Sequence, residues 1–179
     1  MEHIFTIIFT FALMSHVSCF YVNYFAFGAN MNPDLLEKRT FSAEGSLKYE
    51  RAVLHDYKLT FNTGMSAVGM AASVEPMKGS NTHGLCYKLN LQQFNFLLVS
   101  EGFPFGYKVE SVNIRPYDGG RSIDALTLRS GNGLISGKPS ERYINLLRKG
   151  AKESQLDEEY QVYLNGVEPT RSLSSRIRG

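Results

Sequence analysis

At 179 residues with a formal net charge of +2, the chain is long enough for one domain with a sizeable core and too nearly neutral to suit nucleic acid. Its basic residues form no stripe with interleaved aromatics, and no repeat or low-complexity stretch divides it. One domain is expected, and nucleic acid is set aside as a partner.

Residues 4–14 form an apolar run followed by the small residues Ser15, Val17, Ser18 and Cys19. The pattern predicts a secretory leader over 1–19, cut after Cys19, with a buried amino-terminal strand as the alternative because no Lys or Arg precedes the run. It is too short to span a bilayer, so no membrane partner is expected. Cleavage makes the protein extracellular; retention leaves it in the cytoplasm. Cleavage also leaves Cys86 as the only thiol, inside an alternating stretch where it reads as a small buried hydrophobe.

A strand is predicted over 20–27, ending in the apolar run Tyr24-Phe25-Ala26-Phe27 and the turn Gly28-Ala29-Asn30-Met31. Asn32 can cap the helix that follows, Pro33 suits its first turn and Asp34 its positive end. Strand, tight turn and helix together aim backbone N–H groups at whatever lies above the turn, which is an anion-holding device; a plain connection is the alternative. With one glycine and no lysine, the turn is neither a dinucleotide fingerprint nor a phosphate loop, and a carboxylate fits it better.

Alternation from Tyr57 to Phe61 predicts a half-buried strand ending at Asn62-Thr63-Gly64. Two further strands are expected at 70–74 and 84–89. Asn90 then caps a short helix with Phe94, Leu97 and Leu98 at i, i+3 and i+4, which stops at Glu101-Gly102. Strands over 108–115 and 123–129 flank a turn at Asp118-Gly119-Gly120. Ser140 caps a helix whose inner face carries Tyr143, Ile144, Leu147 and Ala151, and a last helix covers 158–164. Strands outnumber helices and are often sequence neighbours, so the fold class is α+β: a small, mainly antiparallel twisted sheet or barrel with helices packed on it, over 20–168. Residues 169–179 form a flexible basic tail.

Chemistry centres on Glu101. It ends an apolar helix and is followed by Gly102-Phe103-Pro104-Phe105-Gly106, whose apolar character would raise its proton affinity and suit it to acid–base work; a solvated helix end is the alternative. His55 and His83 lack ligand spacing and the other two histidines lie in the leader, so no metal is expected.

Taken together, Phe27-Gly28-Ala29-Asn30-Met31, the segment Leu97-Leu98-Val99-Ser100-Glu101-Gly102, Tyr107, Pro139-Ser140-Glu141-Arg142-Tyr143 and Gly150-Ala151-Lys152-Glu153 resemble the γ-glutamylcyclotransferase family over nearly the whole mature chain. The resemblance implies a small barrel that needs no cofactor and converts γ-glutamyl amino acids or peptides to 5-oxoproline and a free amine. It implies Glu101 as the catalytic acid/base, and Phe27, Gly28, Ala29, Asn30, Met31 and Tyr143 as substrate-binding residues, although Tyr143 also suits an amphipathic core position. The expected partner is a small-molecule γ-glutamyl substrate, with a homodimer left open. Three positions depart from the family: Phe27 replaces Tyr, Ala29 replaces Ser, and Leu128 stands where many relatives have Tyr. These leave two alternatives, a secreted binding protein without turnover and a γ-glutamylamine cyclotransferase.

Overall fold

The computed structural model describes residues 20–64, 69–103, 105–130 and 136–170. The leader expected over 1–19 and the end of the basic tail lie outside them. Five strands close into a barrel in the order β1-β3-β2-β4-β5: β1 (Tyr21–Ala26), β2 (Tyr49–Thr63), β3 (Ala71–Asn90), β4 (Tyr107–Pro116) and β5 (Ile123–Ser130). Four helices surround it: α1 (Pro33–Thr40), α2 (Leu91–Ser100), α3 (Glu141–Glu153) and α4 (Glu158–Gly166). The chain is α+β, and its ladders are antiparallel except at the closure, where Tyr24 of β1 meets Leu126 of β5 in parallel. Side chains reinforce that seam: Thr127 Oγ1 donates to the Phe25 carbonyl at 2.8 Å and Asn23 Nδ2 to the Asp124 carbonyl at 3.1 Å.

The expected strands at 70–74 and 84–89 are one strand, β3. Pairing with β2 runs to Tyr57–Pro76 and resumes at His55–Asn81, so residues 77–80 bulge out. Two left-handed residues make the bulge, Asp56 at φ 59° and Gly79 at φ 82°, and the Asp56 carboxylate accepts the Gly79 N–H at 2.7 Å. Pro76 and Gly79, residue types that disfavour a strand interior, are thus absorbed by an irregularity within one ladder.

Each helix starts on the cap its sequence offers. Asn32 accepts from Leu35 N–H at 2.9 Å, Asn90 forms a reciprocal box with Gln93, Ser140 accepts from Tyr143 N–H and Asp157 from Tyr160 N–H. The core joins Phe25, Leu54, Leu85, Tyr87 and Ile114 of the barrel to Leu97, Ile144, Leu147 and Leu164 of the helices, all fully buried. Cys86 belongs to this core, and burial, then the nearby Glu50, pushes its thiol up to about 12. Among the described residues no helix is long and apolar enough to cross a membrane.

Candidate active site

The turn after β1 is a single 3-10 turn over Ala29–Met31. It uses several amides internally: Met31 N–H donates to the Gly28 carbonyl at 3.0 Å and Asn32 N–H to the Ala29 carbonyl at 3.1 Å. The amides of Gly28 and Asn30 have no partner among the described residues. The anion-holding device is therefore smaller than the sequence pattern implies. Met31 leaves it altogether: its side chain is wholly buried beneath α3, where a Cβ on Gly150 would lie 3.2 Å from its own. An apolar side chain on this turn gains more from the core than from a polar cavity, and Met31 does not line the cavity described below.

Glu101 sits at the end of α2, fixed by a full Schellman closure. Gly102 takes φ 71°, its N–H reaches the Val99 carbonyl at 3.1 Å, and Phe103 N–H reaches the Leu98 carbonyl at 3.0 Å. The apolar surround expected from the following residues is absent, because Phe103 is 43% and Phe105 is 88% exposed. Glu101 instead faces polar partners. Its Oε1 accepts from Asn30 Nδ2 at 2.9 Å and pairs with Arg39 Nη1, while no described residue bonds Oε2. Asn30 Nδ2 also donates to the Tyr24 hydroxyl at 2.8 Å, and Arg39 Nη1 donates to Asn30 Oδ1 at 2.5 Å.

Tyr143 arrives from the first turn of α3. That helix start is tied to the start of β3, where Met70 N–H donates to the Lys138 carbonyl at 3.0 Å. The Tyr143 hydroxyl accepts the Ala72 N–H at 3.0 Å, and the Ala29 N–H also points at it. The Ala72 carbonyl in turn accepts from the Tyr107 hydroxyl at 3.1 Å. With the Ala72 amide donating to it, the Tyr143 hydroxyl has its proton left to give. Burial, assisted by Glu101, pushes this phenol up to about 12; burial likewise raises Tyr24 and Tyr107. All three hydroxyls are protonated donors at neutral pH.

These groups enclose a cavity of about 180 Å³. Its wall holds the expected Phe27, Gly28, Ala29, Asn30, Glu101 and Tyr143, and adds Tyr24, Arg39, Thr63, Gly64, Ala71, Ala72, Tyr107 and Leu128. Glu101 is the one carboxylate in the wall and Arg39 the one cation, among the described residues. No group of three metal-ligating side chains occurs among those residues. Arg39 escaped the sequence reading because a basic residue in the last turn of a helix reads as a partner for the helix dipole.

Fold and site together define a small closed-barrel protein with one carboxylate in a cavity ringed by tyrosine hydroxyls. A scan of protein-family models finds no match. Curated relatives do match: the human γ-glutamylcyclotransferase is 31% identical over 152 residues, covering 82% of this chain and 78% of that protein. The bovine γ-glutamylcyclotransferase is 30% identical over 151 residues, with the same coverage. A solved γ-glutamyl cyclotransferase structure superposes with a TM-score of 0.77 at 27% identity, covering 86% of this chain and 92% of that one. The chain belongs to the γ-glutamylcyclotransferase family of enzymes.

Proposed function

We propose that the protein converts γ-glutamyl amino acids to 5-oxoproline and a free amino acid, with Glu101 as the single acid/base. The observation that carries this reading is the Glu101 carboxylate in the cavity wall, with one oxygen held and the other bonded by no described residue. In the reaction the substrate's α-amine attacks its own γ-carbonyl carbon. A C–N bond forms to close the five-membered ring, the C–N bond to the leaving amine breaks, and the proton lost by the first nitrogen is gained by the second. Glu101 takes that proton and returns it. The cavity supplies the fold-back of the glutamyl arm, which makes the attack intramolecular.

The tetrahedral intermediate places negative charge on the former carbonyl oxygen, and the donors for it are the Tyr143 hydroxyl and the amides of Gly28 and Asn30. Tyr143→Phe removes the acceptor of the Ala72 amide and a donor from the cavity. We expect it to lower kcat/KM by roughly 10–100-fold and stability by about 2 kcal/mol, measured by 5-oxoproline release and urea unfolding.

One observation favours a second reading, binding without turnover: Phe27, Ala29 and Leu128, the three positions that depart from the family pattern, all line the cavity. A panel of γ-glutamyl amino acids and γ-glutamyl amines separates the readings. We expect 5-oxoproline from the amino acids first; equal or greater rates with the amines would move the substrate class, and saturable binding with no 5-oxoproline would replace enzyme by binding protein. The leader over 1–19, and with it a secreted address, belongs to the same proposal.

A further inference from the structure

We infer that Arg39 is a positioning residue that locks Asn30 and Glu101 into one unit, holding Glu101 Oε1 so that proton transfer runs through Oε2. The inference rests on the proposed function for its kinetic consequence, while its geometric basis is independent of turnover. Arg39 Nη1 donates to both Asn30 Oδ1 and Glu101 Oε1, and Asn30 Nδ2 donates to the same Oε1. The three side chains therefore close a ring of hydrogen bonds. Two of its members lie nine residues apart and the third is 62 residues from Arg39.

The guanidinium has donors only, so the Asn30 face turned toward it is the carbonyl oxygen, while the acceptor-only carboxylate draws the amide nitrogen. Without Arg39, Asn30 Oδ1 loses its partner and Oε1 keeps one donor in place of two. The carboxylate is then held by a single hydrogen bond and is free to rotate about it. Little else depends on Arg39. Its side chain is 27% exposed, and α1 is anchored by the Asn32 cap and the fully buried Leu36. A lysine keeps the charge, but its freely rotating ammonium lacks the planar Nη1 group whose two fixed N–H bonds serve both acceptors.

The test compares wild type, Arg39→Ala and Arg39→Lys on γ-glutamyl-alanine, with thermal unfolding measured on each. We expect Arg39→Ala to lose about 100-fold in kcat with KM within about threefold, because a misplaced reacting group of about 1 Å has that effect. Guanidinium at non-denaturing concentration should restore part of the Arg39→Ala rate where methylammonium does not, and Arg39→Lys should recover less than guanidinium does. An unchanged kcat in Arg39→Ala, or a loss that guanidinium does not rescue, overturns the inference. Side-chain ¹⁵N spectra test the clamp without turnover. Two resolved Arg39 Nη signals in wild type that merge in Glu101→Ala support it, and a single averaged signal in wild type overturns it. Absence of 5-oxoproline from wild type would count against the proposed function alone, leaving these spectra to decide on Arg39.

Discussion

Glu101→Gln is expected to lower kcat for 5-oxoproline formation by roughly 10³–10⁴-fold, at the upper part of what a general acid/base contributes. The substitution is isosteric, so Oε1 can still accept from Asn30 and Arg39. What disappears is the basic oxygen at Oε2, and with it both halves of the proton relay from attacking to leaving nitrogen. The pair with Arg39 is partly solvated, at 27% and 13% exposure, so its loss should change stability by no more than about 1 kcal/mol. A collapse of activity with little change in the unfolding midpoint is the expected pair of results. Measurable turnover by Glu101→Gln within tenfold of wild type would remove Glu101 from the role of proton carrier.

The second large effect is structural and falls at Gly84. A Cβ there would lie 2.2 Å from the Ala26 carbonyl oxygen and 2.9 Å from Cζ of Phe25. Neither neighbour can yield cheaply, since one is backbone and the other belongs to a wholly buried ring. Strand β1 approaches β3 closely here, one position from the Ala26–Leu85 pair, and a glycine in the strand interior permits it. Gly84→Ala must push β1 outward, and β1 leads directly into the turn that carries Gly28 and Asn30. We expect a loss of about 3 kcal/mol, a fall of roughly 6–12 °C in Tm for a chain of this size, and weakened catalysis in what remains folded. Calorimetry of Gly84→Ala checks this; a midpoint within a degree of wild type would mean that the seam is looser than its geometry implies.

The two glycines that matter most were not equally legible. Gly102 follows a capped helix of apolar period, and its left-handed closure after Glu101 is what that pattern calls for. Gly84 lies in an alternating strand, and only the approach of a strand some sixty residues earlier explains why no side chain can stand there. The same division runs through the rest of the chain. Caps at Asn32, Asn90 and Ser140 act within three residues, so the sequence marks the helix starts directly. The merging of two expected strands into β3 depends on Asp56 in the opposite strand, which local alternation does not register.

At the site, Glu101 and the turn were legible as separate features, and their meeting came from resemblance. The polar environment of Glu101 was not legible. Phe103 and Phe105 lie close to Glu101 in sequence but turn outward, while Arg39 comes from α1 and Asn30 from the turn before it. Met31 misled in the opposite direction, because belonging to a binding turn does not oblige a side chain to face the ligand.

Proton NMR of wild-type protein mixed with γ-glutamyl-alanine tests the central claim most directly. The proposed chemistry requires 5-oxoproline and alanine signals to grow in equal amounts as the substrate signals decline, at a rate proportional to enzyme. Substrate signals that shift or broaden on addition of protein, with no 5-oxoproline over the same period, would show a cavity that binds the γ-glutamyl group and does not turn it over.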